Sequence, residues 1–223
     1  MNFLRAKFAA SPIYARVAPF IIFLVLGFCQ TLFGESGRFW LYAAKTAVGA
    51  WLIWKMRPFV KEMRWAFSWE AIVVGIGVCA MWIGIDPFYP KLGKAGPQWN
   101  PHVVFGQDSG LARAFIVVRL LGSTFVVPPL EEVFYRSFLY RYFVRLDFQS
   151  MPFRQIHFLS FVVTAIIFGP GQHYQWLAGI FCGMAYQWLV LRKDRLGDAM
   201  TAHAITNFLL GIWVVWKGAW NFW

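Results

Sequence analysis

The chain has 223 residues, of which 59% are apolar, 20% aromatic and 14% charged, and it carries a net charge of +11. A soluble domain has about 25% charged residues, so this much apolar surface excludes a single water-facing globule and points to lipid as the solvent. The excess of Lys and Arg fits short loops at the cytoplasmic face of a membrane; with no soluble module to carry a basic face, a nucleic-acid partner is excluded.

Apolar stretches fall near residues 17–33, 39–56, 69–85, 111–129, 130–146, 155–169, 173–191 and 198–216. They are continuous rather than alternating runs, so the predicted class is all-α: a polytopic integral membrane helical bundle of about eight transmembrane helices, forming one domain over residues 1–223. Arg5, Lys7 and Arg16 precede the first stretch. It is long for a signal peptide and lacks an A-x-A exit, so it is read as a retained spanning helix. The loop with Lys55, Arg57, Lys61 and Arg64 is strongly basic, which places it, and the N-terminus with it, in the cytoplasm of a bacterial inner membrane. Residues 86–110 are rich in Pro and Gly and read as an irregular external loop. Arg141, Arg145 and Arg154, and then Arg192, Lys193 and Arg195, also want the cytoplasm, yet eight full crossings put them outside. One crossing fewer between 111 and 146 repairs this, and Arg113, Arg119, Pro128 and Pro129 in that region fit a tilted, broken or re-entrant helix.

Tryptophans near segment ends (Trp40, Trp54, Trp65, Trp69, Trp99, Trp188, Trp213, Trp216, Trp220 and Trp223) suggest an interfacial belt. Cys29, Cys79 and Cys182 are widely spaced in apolar runs and read as small core residues, with neither a disulfide framework nor a metal site.

Within this apolar chain, Glu131 and Glu132 stand out. A charge in the bilayer costs at least about 2.5 kcal/mol on insertion scales, and two adjacent carboxylates oppose each other's ionisation. Pro128-Pro129 marks a helix start, so first-turn charges near the interface are the structural alternative. Against it, Arg136 lies four residues after Glu132 and can pair with it, while Tyr135 shares the face of Glu131. That divides the labour between one positioned carboxylate and one base. His203 and Asn207 share a face of a helix that is otherwise apolar; they are either core residues bonded to neighbours or donors aimed at an oxyanion. Phe168-Gly-Pro-Gly-Gln-His173 breaks a helix just before an imidazole, either at a loop tip or at a site. His102 and His157 are weaker candidates.

Glu131-Glu132-x-x-x-Arg136, Phe168 to His173 and His203-x-x-x-Asn207 occur in that order, and Trp176-Leu-Ala-Gly and Asp198 to His203 extend the pattern. The chain thereby resembles, over about residues 115–210, the CAAX-protease and bacteriocin-processing group of intramembrane glutamate endopeptidases. The likeness is nearest to the short prokaryotic branch found beside PEP-CTERM/exosortase systems. The family pattern has three residues between Phe and His where this chain has four; Phe153 and His157 fit it literally, but Tyr174-Gln-Trp-Leu-Ala-Gly favours His173. The resemblance implies a metal-independent peptidase with no cofactor, acting on a membrane peptide or protein. Glu131 with His173 would activate a water, His203 and Asn207 would hold the oxyanion, and Glu132, Arg136, Phe168 and Tyr135 would support them. A non-catalytic scaffold or immunity-type protein of the same fold, and a proton-coupled transporter using the two glutamates, are the alternatives. A zinc site of Glu131, His173 and His203 is disfavoured by the lack of H-E-x-x-H.

Overall fold

The computed structural model describes residues 3–92, 98–171 and 175–223, and among these no strand occurs. The helices are α1 (Phe3–Ala10), α2 (Pro12–Cys29), α3 (Gly34–Met56), α4 (Trp69–Ile85), α5 (Pro101–Phe105), α6 (Gly110–Phe125) and α7 (Val127–Glu132). α7 runs through a π-helical stretch, Val133–Leu139, into α8 (Tyr140–Tyr142); α9 (Phe158–Gly171), α10 (Trp176–Lys193) and α11 (Gly197–Lys217) follow. Serine starts several of them. The Ser11, Ser68 and Ser109 side chains accept from the backbone N–H groups of Tyr14, Ala71 and Ala112 at 3.2, 3.3 and 3.4 Å, satisfying amides that the first turn leaves without a helical acceptor.

Among the described residues, four helical stretches are long and apolar enough to cross a membrane: Pro12–Cys29, Trp69–Phe88, Gly110–Tyr142 and Gly197–Lys217. The protein is thus an all-α integral membrane bundle. Its boundaries correct the expected segments in three places. α2 starts at Pro12, not near residue 17, because Arg16 lies inside the helix and is buried against Glu62 at 2.7 Å. The stretches expected at 111–129 and 130–146 are one 33-residue helical run interrupted only at Val126. Pro128 and Pro129 sit in the first turn of α7, where no helical N–H is lost. The 86–110 segment is not wholly irregular, since Asn100 caps the short α5.

Contacts between loops show which chain ends lie together. Arg16, Glu62 and Arg141 form one ion-pair cluster, Lys193 meets Glu70 at 2.6 Å, and Arg154 approaches Asp194 at 3.8 Å. At the opposite end Gln175 donates to Asp86 and the Trp176 indole to the Pro90 carbonyl, at 3.2 and 2.9 Å. The basic loops at 57–64, 141–154 and 192–195 therefore share one end. Eight separate crossings cannot produce that arrangement; a single passage by Gly110–Tyr142 can.

α11 packs against α4, α6, α7 and α10. Gly75 permits the α4 contact: a Cβ there would lie 2.8 Å from both the Ala202 carbonyl oxygen and the Ile205 Cβ. The tryptophan belt is partly real. Trp40, Trp54, Trp69 and Trp216 are exposed, but Trp99 and Trp220 are buried, Trp99 against Phe39, Tyr42 and Trp223.

Candidate active site

Glu131 and Glu132 end α7, immediately before the π-helical stretch. Such insertions of an extra residue per turn recur at functional sites, and here one widens the turn that carries Tyr135 and Arg136. The two carboxylates have opposite surroundings. Glu131 lines a cavity of about 730 Å³ together with Tyr135, Phe168, His203, Thr206 and Asn207. Glu132 has no exposed surface and does not line it.

Glu132 is held from two sides. Its Oε1 lies 2.8 Å from His203 Nδ1, and its Oε2 lies 3.2 Å from Arg136 Nε. The second contact is an ion pair off the N–H axis rather than an aligned hydrogen bond. Arg136, 1% exposed, also donates from Nη2 to the Gly183 carbonyl at 3.2 Å, and its guanidinium lies 4.4 Å from the Phe168 ring centroid. Phe168 meets Tyr135 edge-on at 4.9 Å. The motif phenylalanine thus supports the arginine that neutralises Glu132.

His203 and Asn207 project from α11 into the same cavity. The imidazole stacks on Tyr186 of α10 at 5.0 Å and 25°, and Tyr186 donates to Thr206 Oγ1 at 2.7 Å. Thr206 Oγ1 is in turn 2.9 Å from the Gly75 carbonyl, tying α10, α11 and α4 around the ring. Asn207 Nδ2 donates to the Ser123 carbonyl at 2.8 Å. That bond orients the amide and, among the described residues, leaves its second N–H available as a donor.

His173 lies outside the described residues. His157 caps α9, its Nδ1 accepting from Ser160 N at 3.2 Å, and Phe153 packs under Arg141 at 4.3 Å; neither residue of the literal Phe-to-His spacing lines the cavity. His102 packs on Trp220 and is likewise absent from the lining.

Four contributors were not anticipated from the sequence. Tyr186 and Ser123 position His203 and Asn207, and only tertiary contact reveals them. Lys45 of α3 and Arg119 of α6 line the cavity as cations. Their signal was present, since each is a lone charge inside an apolar stretch.

The profile of the type II CAAX prenyl endopeptidase Rce1-like family matches residues 113–209. Those residues include the α7 glutamates, Arg136, Phe168, His203 and Asn207. No curated protein and no solved structure matches the chain.

Proposed function

We propose, from the match of residues 113–209 to the type II CAAX prenyl endopeptidase family, that this integral membrane protein is an endopeptidase that hydrolyses a peptide bond within or beside the bilayer, with water activated by Glu131. The family implies a protease. The observation that carries the finer reading is the convergence of Glu131, His203 and Asn207 on one cavity while Glu132 stays behind the imidazole.

In this reading the Glu131 carboxylate takes a proton from a water as its oxygen attacks the scissile carbonyl. The negative charge moves to the carbonyl oxygen. When the C–N bond breaks, Glu131 returns the proton to the departing amine. Glu132, ion-paired with Arg136, acts as an acceptor only, which places a hydrogen on His203 Nδ1. The neutral ring then has a bare Nε2, so His203 donates to an oxyanion only as imidazolium. Asn207, with one N–H held by Ser123 and one remaining, donates in either ring state. Glu132 is therefore a positioning residue for His203.

The cavity runs from Glu131 and His203 toward Gln30, Gln175 and Asn221, away from the basic loops. Basic loops face the cytoplasm, so the N-terminus lies there and the cavity is reached from the other side of a bacterial inner membrane. The substrate is then a membrane peptide presented at that face. The test is cleavage of membrane-anchored reporter peptides by detergent-purified protein. Glu131→Ala should lose activity by at least about 10²-fold while keeping the wild-type unfolding temperature. Equal cleavage by the variant would refute the assignment.

A further inference from the structure

Between Glu131 and the end of the bundle opposite the basic loops, the cavity wall carries two cations that the proposed hydrolysis does not use. The Arg119 guanidinium is packed among aromatic rings, 4.4 Å from the centroid of Trp99, 4.9 Å from Tyr42 and 5.3 Å from Trp223. Lys45 Nζ sits 4.3 Å from the Phe23 centroid and 5.3 Å from that of Tyr42. Both side chains line the cavity, and among the described residues neither ammonium nor guanidinium has a hydrogen-bond acceptor or an ion-pair partner. A guanidinium held among rings offers its N–H fork to a carboxylate that reaches it.

Lys45 lies within electrostatic reach of Arg119 and Glu131, and Arg119 within reach of Arg38. A cation in a membrane cavity is costly unless something neutralises it. For Arg136, Glu132 does so.

We propose that Lys45 and Arg119 form a carboxylate-binding subsite that selects the peptide substrate by a free carboxylate, from its terminus or an acidic side chain, held on the side of the cavity away from the basic loops while Glu131 meets the scissile bond. This rests on the peptidase reading for its substrate, but the binding is measurable without turnover.

The probe is a short dansylated apolar peptide prepared as the free acid, as the C-terminal amide, and as the amide carrying one Asp. Binding to the full detergent-purified chain is read by energy transfer from tryptophan, Trp99 and Trp223 lying beside Arg119. The free acid or the Asp peptide should bind roughly tenfold or more tightly than the plain amide, and which of the two does so identifies the source of the carboxylate. Arg119→Gln and Lys45→Met should each erase most of that preference with little change for the amide. Should Arg119→Gln fail to fold, Lys45→Met and competition by N-acetyl-leucine against N-acetyl-leucinamide on the wild type decide between presence and absence of the subsite. Equal binding of acid and amide, a preference surviving in both variants, or displacement by phosphatidylglycerol with no effect of peptide acids would overturn the subsite. An intact acid preference without any cleavage would refute the peptidase reading and leave the subsite standing.

Discussion

Glu132→Gln is the sharpest test of how the site is built. The carboxylate meets two groups on opposite sides, His203 Nδ1 at 2.8 Å through a hydrogen bond and Arg136 Nε at 3.2 Å through an ion pair. A glutamine has one acceptor oxygen and one donor group. If its oxygen keeps the imidazole, its NH2 faces the guanidinium; if it turns, two N–H groups oppose each other. In the first orientation Arg136, 1% exposed, keeps only the Gly183 carbonyl, and in the second it meets a neutral amide oxygen in place of a carboxylate, so in both the guanidinium loses its ion pair. Removing one partner of a buried ion pair costs about 3–5 kcal/mol in soluble proteins. Polar contacts between membrane helices measure lower, because the unfolded helices in lipid find other partners, so the lower end, about 3 kcal/mol, is expected.

At about 2–4 °C per kcal/mol for a chain of this size, unfolding should fall by about 6–12 °C. The assay is a thermal scan in detergent with a thiol-reactive dye, which reports the buried Cys79 and Cys182 as the bundle opens. The double variant Glu132→Leu/Arg136→Met separates structure from chemistry. Replacing a buried pair by apolar residues is often neutral, and methionine suits the aromatic walls of Phe168, Tyr135 and Tyr186 around position 136. The double variant should unfold within about 1–2 kcal/mol of wild type yet remain inactive, because His203 has lost the group that fixes its ring. A Glu132→Gln unfolding temperature within about 2 °C of wild type, or an active double variant, would refute the reasoning.

Three further outcomes follow from the geometry. Asn207→Ala should lower kcat by about 10²–10³-fold if the free amide N–H meets the oxyanion, while unfolding drops by only about 1 kcal/mol for the lost Ser123 bond; comparison of kcat with the melting curve decides. Gly75→Ala places a methyl 2.8 Å from the Ala202 carbonyl oxygen and should destabilise by about 1–3 kcal/mol, pushing α11 from α4 and reducing activity through His203; wild-type stability and turnover would show that the contact yields freely. At the basic end, burial pushes the Glu62 carboxyl up, but the Arg16 charge and hydrogen bonds from Ser137 and Arg16 outweigh it and hold the group below its ordinary value. A depressed folded-state value means that Glu62 stabilises the protein above its unfolded-state value and loses that contribution as pH falls through the folded one. Glu62→Gln should therefore be the less stable protein at neutral pH and converge with wild type in acid, as read from melting temperature against pH.

What the sequence disclosed follows from the range of each interaction. Helical class came from long apolar runs, and the Glu132–Arg136 pair came from an i,i+4 spacing that the helix itself enforces. The partner of His203 did not. Counting along α11 pairs the imidazole with Asn207, its neighbour on the same face, whereas the fold turns its Nδ1 to Glu132, 71 positions away. Asn207 is committed partly to Ser123, again a tertiary contact. The break between α6 and α7 was misplaced by several residues for a local reason: prolines end a run of hydropathy as readily as they begin a helix, and only the position of Val126 shows which they do here.

Lys45 and Arg119 show a different limit. Each was visible as a charge in an apolar stretch, yet a lone cation in a predicted span has several uses, among them a snorkelling anchor, a counter-ion or a ligand group. From sequence, Arg119 even counted as a sign of a broken helix. Only the cavity narrows the choice, because it brings α3 and α6 to the water-accessible wall that carries Glu131 and, among the described residues, leaves both cations without an ion-paired carboxylate of their own. The same reasoning explains why Glu132 and Glu131, adjacent in the chain, have different surroundings. A carboxylate already enclosed by Arg136 and His203 has no face left for a substrate, so its contribution passes through the ring it holds. The carboxylate that lines the cavity is the one a bound peptide can reach.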